Sequence, residues 1–563
     1  MQLTTANILI GGEAGQGLAT VGHLLTKALV RAGYDVVITQ DYQSRIRGGH
    51  NTYAVRTAVP GEGPRVAAPS LAVDILVALN QETIDLHAHD VSPNGLVLMG
   101  HSMTAQEVKA LAVPYKDLIP KPIFENTAAL GVLCGLLGVD RAYPEALIAE
   151  QFQKKGQEII DQNLEVLARS IEWVMHQDHG FTPLAPAPAR DVHLALTGNE
   201  AVALGAMAAG CTFCSYYPMT PATSVPMMLA AHAEAVGMVV EQAEDEIAAV
   251  NMVLGASYAG ARAMTATSGG GFALMVEGVS LAGITETPLV VFLSQRPGPA
   301  TGLPTRTEQG DLNLALYAGH GEFPRAIFAP GTIEQCFHLT VRAFNQAEMA
   351  QTVVFILSDQ FLADSVRNVE PFDLTTLPPQ VLPDGSDTQP ASYERYAITE
   401  SGVSPRRLPC MGQSLVVLDS DEHTPDGHIT EDLGVRVAMH EKRMRKHQLL
   451  REHVLPPDYD GPESPELLLA CWGSTLGAVQ EAAVQLRQRG TQVGVLHFTQ
   501  LWPLDSATFL PRLQQAGKVV MVEGNYAGQL ANCIRMETGF AVDQRITRYD
   551  GLPFSARYIL DRL

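Results

Sequence analysis

Thr220, Glu246, Arg296 and Thr305 set a hydroxyl, a carboxylate, a guanidinium and a second hydroxyl among polar, Gly- or Pro-rich pieces of this chain. The pieces are YPMTPAT (Tyr217 to Thr223), EQAEDEIAAVNMVLGAS (Glu241 to Ser257), TSGGGF (Thr267 to Phe272) and SQRPGPATGLPTRTEQGDL (Ser294 to Leu312). A guanidinium in a loop stiffened by Pro and Gly suits two-pronged binding of a carboxylate, its plainer use being a structural ion pair. The set positions a small carboxylate-bearing substrate beside a cofactor that needs proton relay.

Glu244, Asp245 and Glu246 open a predicted helix, where acidic residues also serve simply to complement the helix dipole. Spacing separates them. Ala249, Val250 and Val253 follow Glu246 at helical intervals, so Glu246 shares the face those residues bury. A carboxylate on a packed face needs a partner.

Each piece falls where a short apolar strand ends (Met238 to Val240, Ala263 to Ala266, Pro288 to Ser294), and open parallel sheets collect their ligands at such ends. Ahead of them, NILIGGEAGQGLATVGHLLTKALVRAGYDVVI predicts a strand, a Gly-rich turn, an amphipathic helix and a strand. VDILVALN, GLVLMG and PIFEN continue the pattern, followed by an Ala/Leu-rich helix from Thr127 and a long helix to about Met175. FTPLAPAPAR (Phe181 to Arg190) reads as a semi-rigid linker, and NVEPFDLTTLPPQVLPDGSD (Asn368 to Asp387) as a second. After it, strands at Glu466 to Trp472, Gln492 to Phe498 and Lys518 to Glu523 alternate with helices, which implies parallel pairing by right-handed crossovers. The expected fold is α/β, with three α/β domains built on mainly parallel sheets. Their expected bounds are 1–180, a linker at 181–191, 192–367, a linker and irregular extension at 368–464, and 465–563.

GGEAGQG would let backbone N–H groups approach an anion at a helix N-terminus, which makes Gly15, Gln16 and Gly17 candidate loop contacts. The spacing is not GxGxxG, and the next strand lacks a ribose-binding acid at its end, so a dinucleotide-dependent dehydrogenase stands only as an alternative. RIRGGH places Arg45 and Arg47 in a loop that faces either an anion or subunit, or merely solvent.

A length of 563 residues supports several cores, and 46% hydrophobic with 17% charged residues suits a compact enzyme. The net charge of -22 argues against a nucleic-acid or anionic-membrane surface. The one basic run, EKRMRKHQLLREH (Glu441 to His453), reads as a solvated helix face. Cys211 and Cys214 form a lone CxxC, too few ligands for zinc or an iron–sulfur cluster, and read as buried free thiols. With no metal site in this chain, no signal-like opening and no membrane-length apolar run, a cytoplasmic protein is expected.

The four pieces resemble the signatures of the 2-oxoacid:ferredoxin oxidoreductases. YPMTPAT is similar to their YPITPST, and EDEIAAV, TSGGGF and RPGPATGLPTRTEQGDL to companion blocks of the alpha subunit. GGEAGQG with RIRGGH resembles the gamma subunit, here fused in front, an arrangement most similar to the 2-oxoglutarate-specific branch. CWGST, LWPL and VEGNYAGQL resemble the alpha subunit's C-terminal domain. The resemblance implies a pyrimidine-binding-type thiamine domain in the middle, a transketolase C-terminal-like domain at the end, and CoA-dependent oxidative decarboxylation of a 2-oxoacid with reduction of ferredoxin. The substrate implied is 2-oxoglutarate, with pyruvate or a branched-chain 2-oxoacid as alternatives. Neither the GDG loop that holds diphosphate and magnesium in thiamine enzymes nor a Cys-rich cluster motif occurs. GDLN (Gly310 to Asn313) is too compact for the first. The resemblance accordingly implies a beta subunit that carries the thiamine diphosphate tail, Mg2+ and a 4Fe-4S cluster, in an (alpha-beta)2 assembly. By the same resemblance Pro218 and Glu246 contact the cofactor, Glu246 promotes its imino tautomer, and Thr220, Arg296 and Thr305 fix the substrate's carboxylate and keto group. The sequence departs from the signatures at CTFC, Met219 and Ala222.

Overall fold

The computed structural model describes the chain except residues 1, 14, 43–48, 62–65, 189, 191–192, 384–392 and 412–413. Three sheets organise it. The first has eight strands, in the order Ala110–Val113, Val91–Gly100, Val73–Ala78, Thr5–Glu13, His50–Ala58, Asp35–Asp41, Arg367–Val369 and Leu194–Leu196. Its pairings are parallel as far as Thr5–Glu13 and antiparallel beyond. Helices Leu18–Arg31, Glu125–Leu137 and Gln157–Met175 bury Leu25, Leu29, Leu133 and Leu167 in its core.

The middle sheet runs Gln500–Trp502, Arg325–Phe328, Val353–Asp359, Leu289–Gln295, Ala263–Thr267, Phe213–Tyr216, Val239–Gln242, parallel except at its first pair. Val353–Asp359 and Leu289–Gln295 are buried along their whole length because helices cover both faces, which is why they read as unbroken apolar runs. The third sheet places Asp458–Asp460, Val493–Phe498, Leu467–Trp472, Lys518–Glu523 and Gln544–Thr547 side by side, parallel after the first pair.

The sheets borrow strands across the sequence. Leu194–Leu196 and Arg367–Val369 flank the middle unit in sequence yet pair into the first sheet, and Gln500–Trp502 leaves the last unit to edge the middle sheet. Glu481 binds the first unit to the last, accepting from Arg56 at 2.8 Å and from the backbone N–H of Ala67 and Ala68. The Pro-rich segment after Phe181 is packed rather than free, with Phe181 and Leu184 buried in the first core.

One expectation fails. The basic run lies on helix Leu433–Glu452, but Lys442, Arg443 and Lys446 are buried instead of solvated. Lys442 and Lys446 both reach the carboxylate of Glu286, while Arg443 pairs with Glu422 at 2.7 Å. Acidic partners outside the helix make burial possible, Glu286 at 156 positions from Lys442 and Glu422 at 21 from Arg443, and no pattern within the helix reports them.

Candidate active site

The site residues gather at the carboxyl ends of the middle strands. Strand Val239–Gln242 leads through Ala243 to Asp245, whose side chain accepts from the Ala248 N–H at 2.7 Å and caps helix Glu246–Tyr258. Of the three neighbouring acids, Glu244 and Asp245 are exposed and only Glu246 turns inward, at 3% exposure. It shares the buried face with Ala249, Val250 and Val253. Its Oε1 is shut off from solvent with no hydrogen-bond partner. Burial, helped by the Asp245 charge, raises its pKa above the ordinary carboxylate value against the pull of a backbone hydrogen bond.

TSGGGF forms the floor. Ser268 precedes helix Gly269–Ile284, and the three glycines each admit a different neighbour. A β-carbon on Gly271 would fall 2.4 Å from both Glu246 Oε1 and Thr267 Oγ1. One on Gly270 would meet the Ala300 carbonyl at 3.3 Å, and one on Gly269 the Asp311 Oδ2 at 2.5 Å. Glycine is costly in a helix, so three in succession mark a place where backbone must come close to something.

Arg296 follows strand Leu289–Gln295, and its Nη1 donates to the Thr220 carbonyl at 2.7 Å. That bond ties the YPMTPAT loop to the Pro-rich loop and uses one of the five N–H donors of the guanidinium. Burial lowers its pKa, opposed by the nearby charge of Asp311. Asp311 itself is anchored by its backbone N–H to Gln295 Oε1 at 2.9 Å. Farther along, Gln309 exchanges hydrogen bonds with Gly524, and Gln529 Nε2 donates to the Gly310 carbonyl at 2.7 Å. The last unit therefore clamps the segment that carries Asp311.

The structure thus brings Thr220, Glu246 and Arg296 to one group of strand ends. Pro218 is exposed beside Tyr217 at its rim. Thr305 lies elsewhere on the long loop, lining a cavity of about 230 Å3 between the three units with Asp41, Asp364 and Arg548. Its neighbour Arg306 pairs with Asp41 at 2.6 Å. In the first unit, Gly15 and Gly17 hold φ of 95° and 82°, but a β-carbon on Gly17 would strike the Asn126 side chain at 2.2 Å. Gln16 Oε1 takes the Glu13 N–H at 2.7 Å, so part of this loop is already engaged internally. Arg45 and Arg47 lie outside the described residues. Cys211 and Cys214 are buried free thiols in an apolar core, and burial pushes Cys211 up to about 12. Among the described residues no cluster of His, Cys, Asp or Glu could hold a metal ion.

Sequence reasoning passed over Asp311 and the individual glycines. GDLN compares only with the diphosphate and magnesium loop of thiamine enzymes, for which it is too compact, and the run of glycines at a helix start is the available signal for close approach.

Comparison with known proteins gives the chain its relatives. Residues 204–442 match a family model described as pyruvate flavodoxin/ferredoxin oxidoreductase, thiamine diphosphate binding. Residues 7–173 match one described as pyruvate ferredoxin/flavodoxin oxidoreductase, and 461–548 the transketolase C-terminal domain. The alpha subunit of 2-oxoacid:ferredoxin oxidoreductase 2 from Aeropyrum pernix is 32% identical over 97% of this chain and 95% of its own length. The KorA subunit of a 2-oxoglutarate oxidoreductase from Mycobacterium tuberculosis is 29% identical over 99% of this chain and 90% of its own. A solved 2-oxoglutarate:ferredoxin oxidoreductase from Magnetococcus marinus, with 2-oxoglutarate, coenzyme A and succinyl-CoA bound, superposes with a TM-score of 0.94. That match is 31% identical and covers 100% of this chain and 99% of that one. Among the described residues no helix is long and apolar enough to cross a membrane.

Proposed function

Because this chain belongs to the 2-oxoacid:ferredoxin oxidoreductase family as an alpha subunit, we propose that it forms one wall of a thiamine diphosphate site for 2-oxoglutarate. The overall reaction is conversion of 2-oxoglutarate and coenzyme A to succinyl-CoA and CO2, with the released electrons passed to ferredoxin. The observation that carries the reading is Glu246 Oε1, buried without a partner and lying so close to Gly271 that a β-carbon there would come within 2.4 Å of it. A carboxyl group with a raised pKa fits a ring nitrogen of the aminopyrimidine, with which it can share a proton.

When bound, thiamine diphosphate supplies the nucleophile for the keto carbon and the electron sink for decarboxylation. The chain's own residues do the rest. Glu246 holds the proton at the pyrimidine nitrogen. Arg296 neutralises the substrate carboxylate beside the keto carbon and, through Thr220, fixes the loop that faces it. Pro218 closes the rim, whereas Thr305, which lines the separate cavity between the units, takes no part in this arrangement.

A beta subunit would hold the diphosphate tail, Mg2+ and a 4Fe-4S cluster, in an (alpha-beta)2 assembly in the cytoplasm. In support, apolar side chains around the site stand open: Met227, Ile247, Met252 and Leu274 are all more than two-fifths exposed. Helix Glu246–Tyr258 is apolar on nearly every side, as expected of a helix covered by a partner. The isolated chain is expected to be colourless and free of iron. Iron and sulfide that stay with it through gel filtration would contradict the division of labour.

The Mycobacterium tuberculosis relative named for 2-oxoglutarate and the bound ligands of the Magnetococcus enzyme favour this substrate over pyruvate or a branched-chain 2-oxoacid. Competition kinetics on the assembled enzyme should give 2-oxoglutarate the highest kcat/KM. A value for pyruvate equal to or above it would overturn the assignment.

A further inference from the structure

Asp311 has no part in the reading above, yet it occupies the centre of the site's frame. Its backbone hangs from Gln295, the residue immediately before Arg296, and Gln295 is itself locked by donating to the Ser358 carbonyl at 2.9 Å. Its carboxylate rests against Gly269 at the start of a 16-residue helix, whose positive end favours negative charge. Oδ2 is closed to solvent and has no hydrogen-bond partner. Its charge and that of Arg296 act on each other, although the two form no direct ion pair. This is an acid held in reserve beside a cation.

We propose that Asp311 is a positioning residue acting through Arg296, ionised in the substrate-free enzyme and protonated when a substrate carboxylate arrives, so that each 2-oxoacid binds together with a proton. The inference rests on Arg296 being the carboxylate anchor. Without substrate, an ionised Asp311 balances the guanidinium. A second anion at Arg296 takes over that role and leaves Asp311 as a like charge in a poorly solvated place, where the neutral form wins. Proton uptake at Asp311 then removes the repulsion.

The surroundings allow this. Burial, opposed by Arg296, already raises Asp311 to about 6. From its own segment it is faced by Glu308, whose pKa is raised by burial first and by Asp311 second. The helix start offers Ser268 and three glycines, with Glu246 beyond Gly271, and the last unit offers the neutral Gln529. Arg296 is the cation whose charge acts on it.

The test uses the assembled enzyme and steady-state KM for 2-oxoglutarate from pH 6.5 to 8.0. In the wild type KM should rise at least about fivefold over that range, because proton uptake couples binding to pH. Asp311→Asn, which keeps shape, should flatten the profile to less than about twofold and bind more tightly than wild type at pH 8.0. Calorimetry with the unreactive analogue N-oxalylglycine, or oxamate should pyruvate win the competition above, in buffers of different ionisation enthalpy should show proton uptake in the wild type only. A flat wild-type profile, no proton uptake, or an Asp311→Asn profile as steep as wild type overturns the inference. If Asp311→Asn fails to assemble, wild-type proton uptake alone decides it. Arg296→Met separates the two readings: a large rise in KM at pH 6.5 upholds the anchor, whereas an unchanged KM overturns the anchor and this inference with it.

Discussion

Glu246→Gln in the assembled enzyme is expected to lose about 10²–10⁴-fold in kcat, the range typical of a general acid–base group. Gln keeps the shape and a hydrogen bond but cannot exchange a proton with the pyrimidine. KM should change little, since Arg296 still holds the substrate carboxylate. The neighbouring acids are built-in controls. Glu244→Gln alters an exposed charge, and Asp245→Asn retains an oxygen to cap the Ala248 N–H, so both should cost far less. Gly271→Ala approaches the same carboxylate from below. Its methyl would need the space 2.4 Å from Glu246 Oε1, so the carboxylate must move, and kcat should fall without removal of any charge. Hydrogen–deuterium exchange at thiazolium C2 reads out the step. Wild-type exchange in Glu246→Gln would sink the assignment.

The second large effect concerns stability. Glu286→Gln should destabilise the chain by about 3–5 kcal/mol, the usual cost of breaking a buried ion pair from one side. Glu286, Lys442 and Lys446 are at most 1% exposed, with Lys442 Nζ at 2.6 Å from Glu286 Oε1. Around them, Arg395 donates to the Glu286 carbonyl at 2.8 Å and Lys446 to the Gln351 carbonyl at 3.1 Å. Burial works to raise the Glu286 pKa but is outweighed by Lys446, Lys442 and Arg395, which hold it at about 2. Burial brings Lys442 down to about 8 and Lys446 to about 7, against the pull of Glu286.

The signs of the pH dependence follow. For Glu286 the unfolded chain takes up the proton first, so its contribution is lost as pH falls from 4.5 toward 2. For the lysines the folded chain sheds the proton first, so stability rises with pH from about 7 to 10.5. A thermal or urea midpoint in Glu286→Gln equal to wild type would show that the cluster is not held as a unit. Replacing all three residues with apolar ones of similar volume should recover much of the loss, since the desolvation of the charges disappears with them.

Helix Leu433–Glu452 also shows where sequence reading stops. Its Lys and Arg residues form a pattern that local rules assign to solvent, and only the approach of Glu286 from a distant part of the chain and of Glu422 from the segment before the helix reverses that. Asp311 was hidden for a related reason. Its role depends on Gly269 and Arg296, which reach it through two other strand ends.

By itself the sequence determined the α/β alternation, the strands that end at EQAEDE, TSGGGF and SQRPGP, and the inward face of Glu246 as against its neighbours, because each is a matter of short-range periodicity. Helical spacing put Glu246 on the face of Ala249, Val250 and Val253, and the structure keeps it there. Only the tertiary structure decided which sheet each strand joins, which charges are buried, and where Thr305 and Asp311 stand relative to Arg296. Strand exchange between units and the Glu286–Lys442 pairing are set by contacts between residues more than 150 positions apart. Local propensity carries no record of them.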